Sequence, residues 1–122
     1  MRLVMEFVAA VRRVLDAPDR DPLSSAMALE SAMARAVDLD ADALFRLQPE
    51  SFAGLLKVAG GDPEAMPYVA NALILESRFL TQAGEPDAAQ LRMRQARALF
   101  REFGMEGDLQ AEDDPARIFL SR

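Results

Sequence analysis

The sequence predicts an all-α fold: one compact domain over residues 1–122, a bundle of about six helices that ends in an antiparallel hairpin and a short tail. Three observations predict it. Ala, Leu, Met, Glu and Arg dominate while β-branched residues are scarce, a composition that favours helix. The apolar residues recur at the helical period instead of alternating. Proline follows a polar residue at Asp21-Pro22, Gln48-Pro49, Asp62-Pro63, Glu85-Pro86 and Asp114-Pro115. At the first position of a helix its missing N–H removes no bond and its φ is already set, so these five steps read as helix starts.

Taken in order, residues 3–16 form an amphipathic first helix. At about 100° per residue, Leu3, Val4, Phe7, Val8, Ala10, Val11, Val14 and Leu15 share a stripe opposite Glu6, Arg12, Arg13 and Asp16. Ala17-Pro18-Asp19-Arg20 ends it, and the short link makes the second helix, Pro22 to Val37, its antiparallel neighbour. That helix turns Leu29, Met33, Ala36 and Val37 inward. A short third helix capped by Asp40 follows. The fourth starts at Pro49, directs Phe52, Leu55, Leu56 and Val58 inward, and stops at Gly60-Gly61. The fifth and sixth, about 67–83 and 86–103, are joined by a turn at Gly84. Residues 104–122 are an acidic tail with a short terminal helix and the apolar patch Ile118, Phe119 and Leu120.

Composition narrows the chemistry. There are no cysteines, histidines or tryptophans among the 122 residues. Disulfides, thiolate zinc sites and cysteine nucleophiles are excluded together, and the commonest general base and metal ligand is missing. An enzyme would have to work with carboxylates, arginines, Lys57 or Tyr68. Neither a metal nor a cofactor is expected. The formal charge of −6, from 20 acidic and 14 basic residues, argues against nucleic acid, whose binding is driven by phosphate neutralisation. No stretch approaches the roughly 20 apolar residues that a membrane span needs. Glu6, Arg12 and Arg13 interrupt the apolar N-terminal segment and no small-residue cleavage site follows, so the expected compartment is the cytoplasm.

Four features are candidate sites. Asp38, Asp40 and Asp42 have the spacing of the first ligands in an EF-hand loop. The required Gly and bidentate Glu are replaced by Ala43 and Pro49, so the reading is an acidic helix start and not a calcium site. Glu76 falls inside the apolar face made by Val69, Ala72, Phe79, Leu80 and Ala83, with Asn71, Arg78 and Gln82 on the wet face. A carboxylate buried there wants a partner. Arg92 is eight residues beyond Gly84 as Glu76 is eight before it, so a hairpin brings the two to one height. The expectation is an ion pair that fixes helix register; the competing reading is a charge poised for ligand binding or acid–base work, helped by Asn71 or Tyr68. Arg94, Arg97 and Arg101 form a basic stripe on the outer face of helix six, and Phe7, Val11, Ile118 and Phe119 offer apolar surface. Each is either a solvated or core face, or a surface for a partner; the arginine stripe equally suits the chain's own acidic tail, with Glu106, Asp108, Glu112, Asp113 and Asp114.

Residues 70–103 resemble a single tetratricopeptide-repeat hairpin. Gly84 stands at the turn, Ala89 and Ala96 at the small positions of the second helix, and Met93 at the bulky position between them. In the first helix Ser77 replaces the small Gly or Ala, Leu73 the aromatic, and Glu76 an apolar residue. The layout, with Leu47-Gln48-Pro49-Glu50 ahead of the hairpin, also looks like a family of small bacterial helical proteins. The repeat resemblance implies a helical scaffold that binds other proteins. The expected function is a non-enzymatic interaction or scaffold module, with a protein partner or a second copy. The alternative is a small-molecule-binding or catalytic bundle centred on Glu76 and Arg92.

Overall fold

The structure, a computed structural model, describes residues 2–59, 62–105 and 114–120. Among them it holds seven α-helices: α1 (Arg2–Leu15), α2 (Pro22–Val37), α3 (Ala41–Leu44), α4 (Pro49–Ala59), α5 (Met66–Gln82), α6 (Pro86–Glu102) and α7 (Arg117–Leu120). No strand occurs among the described residues. Three of the five polar–proline steps open α-helices at the proline itself. At the first of these Asp21 caps α2, accepting from the Ser24 amide at 3.1 Å and from the Ser24 hydroxyl. These bonds to the ionised carboxylate hold the Asp21 pKa below its usual range. Asp40 caps α3 in the same way, through the Ala43 amide at 3.0 Å.

The other two proline steps differ from expectation. Asp62-Pro63 opens one 3-10 turn, Pro63–Ala65, and α5 begins at Met66. Pro115 lies in a turn, and α7 begins two residues later at Arg117.

The helices pack in the order α1, α2, α5, α6, α4, with α7 lying against α1 and α5. Position in this row explains where the sequence reading of the faces needs correction. Helix α5 sits in the middle, and its nine residues from Val69 to Ser77 are all buried. A helix covered on several sides has no wet face over that length, so Asn71, expected to be exposed, is only 3 % exposed. Helix α4 sits at the end of the row. It buries Phe52, Ala53 and Leu56 along one narrow face, which leaves Val58, expected inside, 88 % exposed and Leu55 at the exposed margin. Along α1 the expected core face holds: Val4, Phe7, Val8, Val11 and Val14 are buried. Phe7 and Val11 are therefore core side chains and not partner surface.

Helix α7 belongs to the same core. Phe119 is fully buried, and its ring meets those of Phe7 and Tyr68 edge-on at centroid distances of 6.0 and 5.9 Å. Arg12 of α1 donates from Nε to the Phe119 carbonyl. Ile118 packs half-buried against the core, while Leu120 stays exposed. The apolar patch at 118–119 thus docks onto the domain through an aromatic anchor and does not remain an open surface.

Three helices end in the same way. At Asp38, Gly84 and Gly104 the backbone turns left-handed, with φ of 56°, 79° and 67°. The next amide then reaches back to a carbonyl of the last turn: Leu39 to Ala34 at 3.1 Å, Glu85 to Leu80 at 2.9 Å, and Met105 to Phe100 at 2.6 Å. Two of these positions are glycine and the third is aspartate, which bears the steric cost of positive φ. Asp38→Gly is expected to raise stability by about 0.5–1 kcal/mol in urea unfolding, with the fold unchanged. Phe119→Ala is expected to cost about 3 kcal/mol, at the low end for a core phenylalanine because the short α7 can lift away instead of leaving a cavity. Limited proteolysis near the C-terminus should quicken in step.

Candidate functional site

Among the described residues a cluster of polar side chains inside the protein gathers on Arg92, a buried residue of α6. Its Nε donates to Glu76 Oε2 on α5 at 2.9 Å. One terminal nitrogen donates to the Phe45 carbonyl at 2.9 Å and to Gln95 Oε1 at 3.0 Å. The other donates to Glu30 Oε2 on α2 at 3.1 Å. Four of the five guanidinium N–H groups are thus engaged. The guanidinium also lies over the Phe45 ring, 4.9 Å from its centroid.

Gln95, one turn further along α6 and fully buried, extends the cluster. Its amide donates to the Phe45 carbonyl at 3.2 Å and the Leu47 carbonyl at 3.0 Å. These bonds hold the α3–α4 connection against α6, and they set the direction in which α4 leaves. Leu47, just before α4, is level with Gln95, and Lys57 near the end of α4 reaches the Glu102 carbonyl at 3.1 Å. The two helices therefore run the same way.

The pairing of Glu76 with Arg92 expected from the hairpin symmetry is present, with both side chains buried. Sequence reasoning missed Glu30 and Gln95. A helical projection would have found Gln95, three residues from Arg92 and one before the buried Ala96. Glu30 had no such signal, because its role depends on how α2 crosses α5.

Burial dominates the acid–base state of Glu76. Removal from water pushes its carboxyl pKa up from 4.5 to about 10, a hydrogen bond with the Glu30 carboxyl adds to the rise, and the Arg92 charge pulls the other way. Burial thus favours the protonated form of Glu76, and Arg92 meets a second carboxyl group, that of Glu30, at 3.1 Å. This state also resolves a structural anomaly. Glu76 Oε1 is buried and meets no N–H or O–H donor. A protonated carboxyl carries one O–H and needs fewer donors than a carboxylate, which fits an oxygen that meets none. Asn71 is the other partly satisfied group: its amide donates to the Pro67 carbonyl at 2.7 Å, and its Oδ1 has no partner.

The cluster is not open to a ligand through either of the two grooves described. One, of about 230 Å³ between α1 and α2, has Ala10, Ala32 and Ala36 in its wall and Glu6, Arg13 and Arg35 around it. The other, about 590 Å³ along α5 and α6, is lined by Ser77 and Thr81 from α5 and by Pro86, Ala89, Gln90, Met93, Arg94 and Arg97 from α6. Neither is lined by Glu30, Glu76, Arg92 or Gln95. Two members of the expected basic stripe, Arg94 and Arg97, lie on the second groove; Arg101, exposed on the last turn of α6, does not. Tyr68 is half-buried beside Phe119, eight residues before Glu76 on α5.

The acidic loop at 38–42 serves the backbone. Asp38 is the left-handed cap of α2 and Asp40 the N-cap of α3. Among the described residues no group of three or more His, Cys, Asp or Glu side chains is placed to hold a metal ion. No described helix is long and apolar enough to cross a membrane. No family model matches the chain, and no curated protein or solved structure matches it.

The protonated Glu76 makes stability depend on pH in a definite direction. The folded state holds a proton that the unfolded chain releases above pH 4.5, so the contribution is complete below that pH and is lost as pH rises toward about 10. Glu76→Gln mimics the protonated acid, accepting from Arg92 and donating toward Glu30. Urea unfolding at pH 5, 7 and 9 should show the Gln variant gaining on the parent chain as pH rises. A constant difference across that range would mean that Glu76 is ionised in the fold.

Proposed function

We propose that the chain is a non-enzymatic interaction module, a helical scaffold of the cytoplasm that holds another protein. Its recognition element in this reading is the α5–α6 hairpin, the segment that resembles a tetratricopeptide repeat. One observation carries the proposal: the polar chemistry of the hairpin is divided between its two sides. On the inner side Arg92 bonds Glu76 and Gln95, and Arg92 and Gln95 hold the α3–α4 connection. On the outer side a groove lies open with neutral polar groups, a methionine and two arginines on its walls. A groove with apolar surface and a few placed polar groups is what a helical binding surface offers a side chain of its partner.

The competing reading makes Glu76 and Arg92 a ligand or acid–base site. It draws support from the raised pKa and from the unsatisfied Oε1, both familiar at functional positions. It is the weaker reading because the guanidinium is already engaged with four acceptors and neither groove reaches the carboxyl. A catalytic base needs its substrate within hydrogen-bond reach.

Affinity capture from the source cell, with sedimentation velocity on the purified chain, tests the proposal. A protein retained in stoichiometric amount by the parent chain and by Glu76→Gln, and lost with Met93→Glu, is the expected result. A small molecule whose stabilising effect in thermal unfolding disappears in Glu76→Gln, with no protein captured, would decide for the competing reading.

A further inference from the structure

We infer that the α5–α6 groove takes an acidic amphipathic segment of another protein, with an apolar side chain against Ala89 and Met93 and a carboxylate on Arg94. The inference rests on the reading of the chain as an interaction module and names the chemistry of its partner.

The groove exists because small residues face each other where α5 and α6 approach. Ser77 on α5 and Ala89 on α6 are both buried, and neither fills the space between the helices. Met93 closes one wall with a side chain that adapts its shape to what it meets. The wall of α5 offers little competition for the space, since the Thr81 hydroxyl is turned back to the Ser77 carbonyl at 2.9 Å. Gln90, exposed on the rim, carries an amide that can bond a passing backbone.

Charge selects the occupant. The molecule as a whole carries −6, yet among the described residues the only charged ones lining this groove are arginines. From Ala88 to Arg101 the α6 sequence contains no acidic residue. Of the arginines in that span, Arg92 is consumed by the interior cluster. Arg94 is exposed and forms no ion pair with a described residue. The α1–α2 groove, by contrast, mixes Glu6 with Arg13 and Arg35. A basic groove on an acidic molecule favours a short anionic segment that can place a carboxylate locally. It disfavours a polyanion, which must bring many charges close to the rest of the surface. The apolar floor adds the second requirement, because a phosphate chain has nothing to put on Met93. An amphipathic helix or turn with an acidic residue flanking a Leu, Met or Phe meets both requirements.

The test is selection of a phage-displayed random 16-residue library on the folded full chain, followed by anisotropy titration of the best synthetic peptide. Enrichment of Asp or Glu next to bulky apolar residues is expected. Affinity should fall about tenfold or more with Arg94→Glu, the scale of losing a charge pair in a contact. It should fall as well with Met93→Lys, and with rising salt. Replacing the critical acidic residue of the peptide by Lys should restore binding to the Arg94→Glu chain. Peptides that bind both variants as well as the parent would overturn the groove assignment while leaving an interaction module elsewhere on the surface. Enrichment of basic sequences, or binding of a labelled single-stranded oligonucleotide that Arg94→Glu abolishes, would overturn the partner class. A Met93-dependent dimer in sedimentation velocity would assign the groove to a second copy and overturn it too. A library that yields no binder would overturn this inference, while the interaction reading beneath it stands or falls on the affinity capture.

Discussion

A guanidinium withdrawn from water has to find acceptors for its N–H groups, and Arg92 finds them on four separate pieces of chain. Glu30 comes from α2, the Phe45 carbonyl from the end of α3, Glu76 from α5, and Gln95 from its own helix. None of these bonds is worth much in isolation, but the arrangement is all-or-none. If α2, the α3–α4 connection or α5 slid by one turn, a buried charge or carbonyl would be left without a partner, at a cost of several kcal/mol. The hydrophobic core favours any close packing of the apolar helix faces. The Arg92 cluster favours one of them.

The same cluster explains the position of α4. This helix has only a narrow buried face, and Val58 and Leu55 lie toward solvent. Such a helix could settle against α6 at several heights. Gln95, bonded to the carbonyls of Phe45 and Leu47, fixes where it starts, and Lys57, bonded to the Glu102 carbonyl and lying over the Phe103 ring at 5.8 Å, helps fix where it ends. At the other end of the row, α1 and α7 are joined by a ring contact and by the Arg12 bond to a backbone carbonyl, again an aromatic group and a cation working together.

Concentrating polar chemistry inside the hairpin has a consequence for its outside. Small residues at Ser77, Ala89 and Ala96 let α5 and α6 approach closely enough for Glu76 to reach Arg92. Ser77 and Ala89 also leave the outer groove unfilled. The register of the hairpin and its open outer groove thus draw on the same sequence feature. A larger residue at Ser77 or Ala89 would fill the groove and push apart the helices whose spacing the interior cluster needs.

The sequence by itself determined that the chain is helical and where three of its helices start, at Pro22, Pro49 and Pro86. Proline after a polar residue, aspartate one turn before an apolar run, and glycine at a required positive φ act within a few residues, so their effect does not wait for the rest of the fold. It also determined that Glu76 must find Arg92, because a tight turn at Gly84 fixes the register of a hairpin. Tertiary structure decided which faces became wet. Asn71 is buried and Val58 exposed because α5 stands in the middle of the row and α4 at its edge, a difference that periodicity within one helix does not contain. It also decided the remaining members of the cluster. Glu30 is 46 residues from Glu76 along the chain and reaches it only where α2 crosses α5.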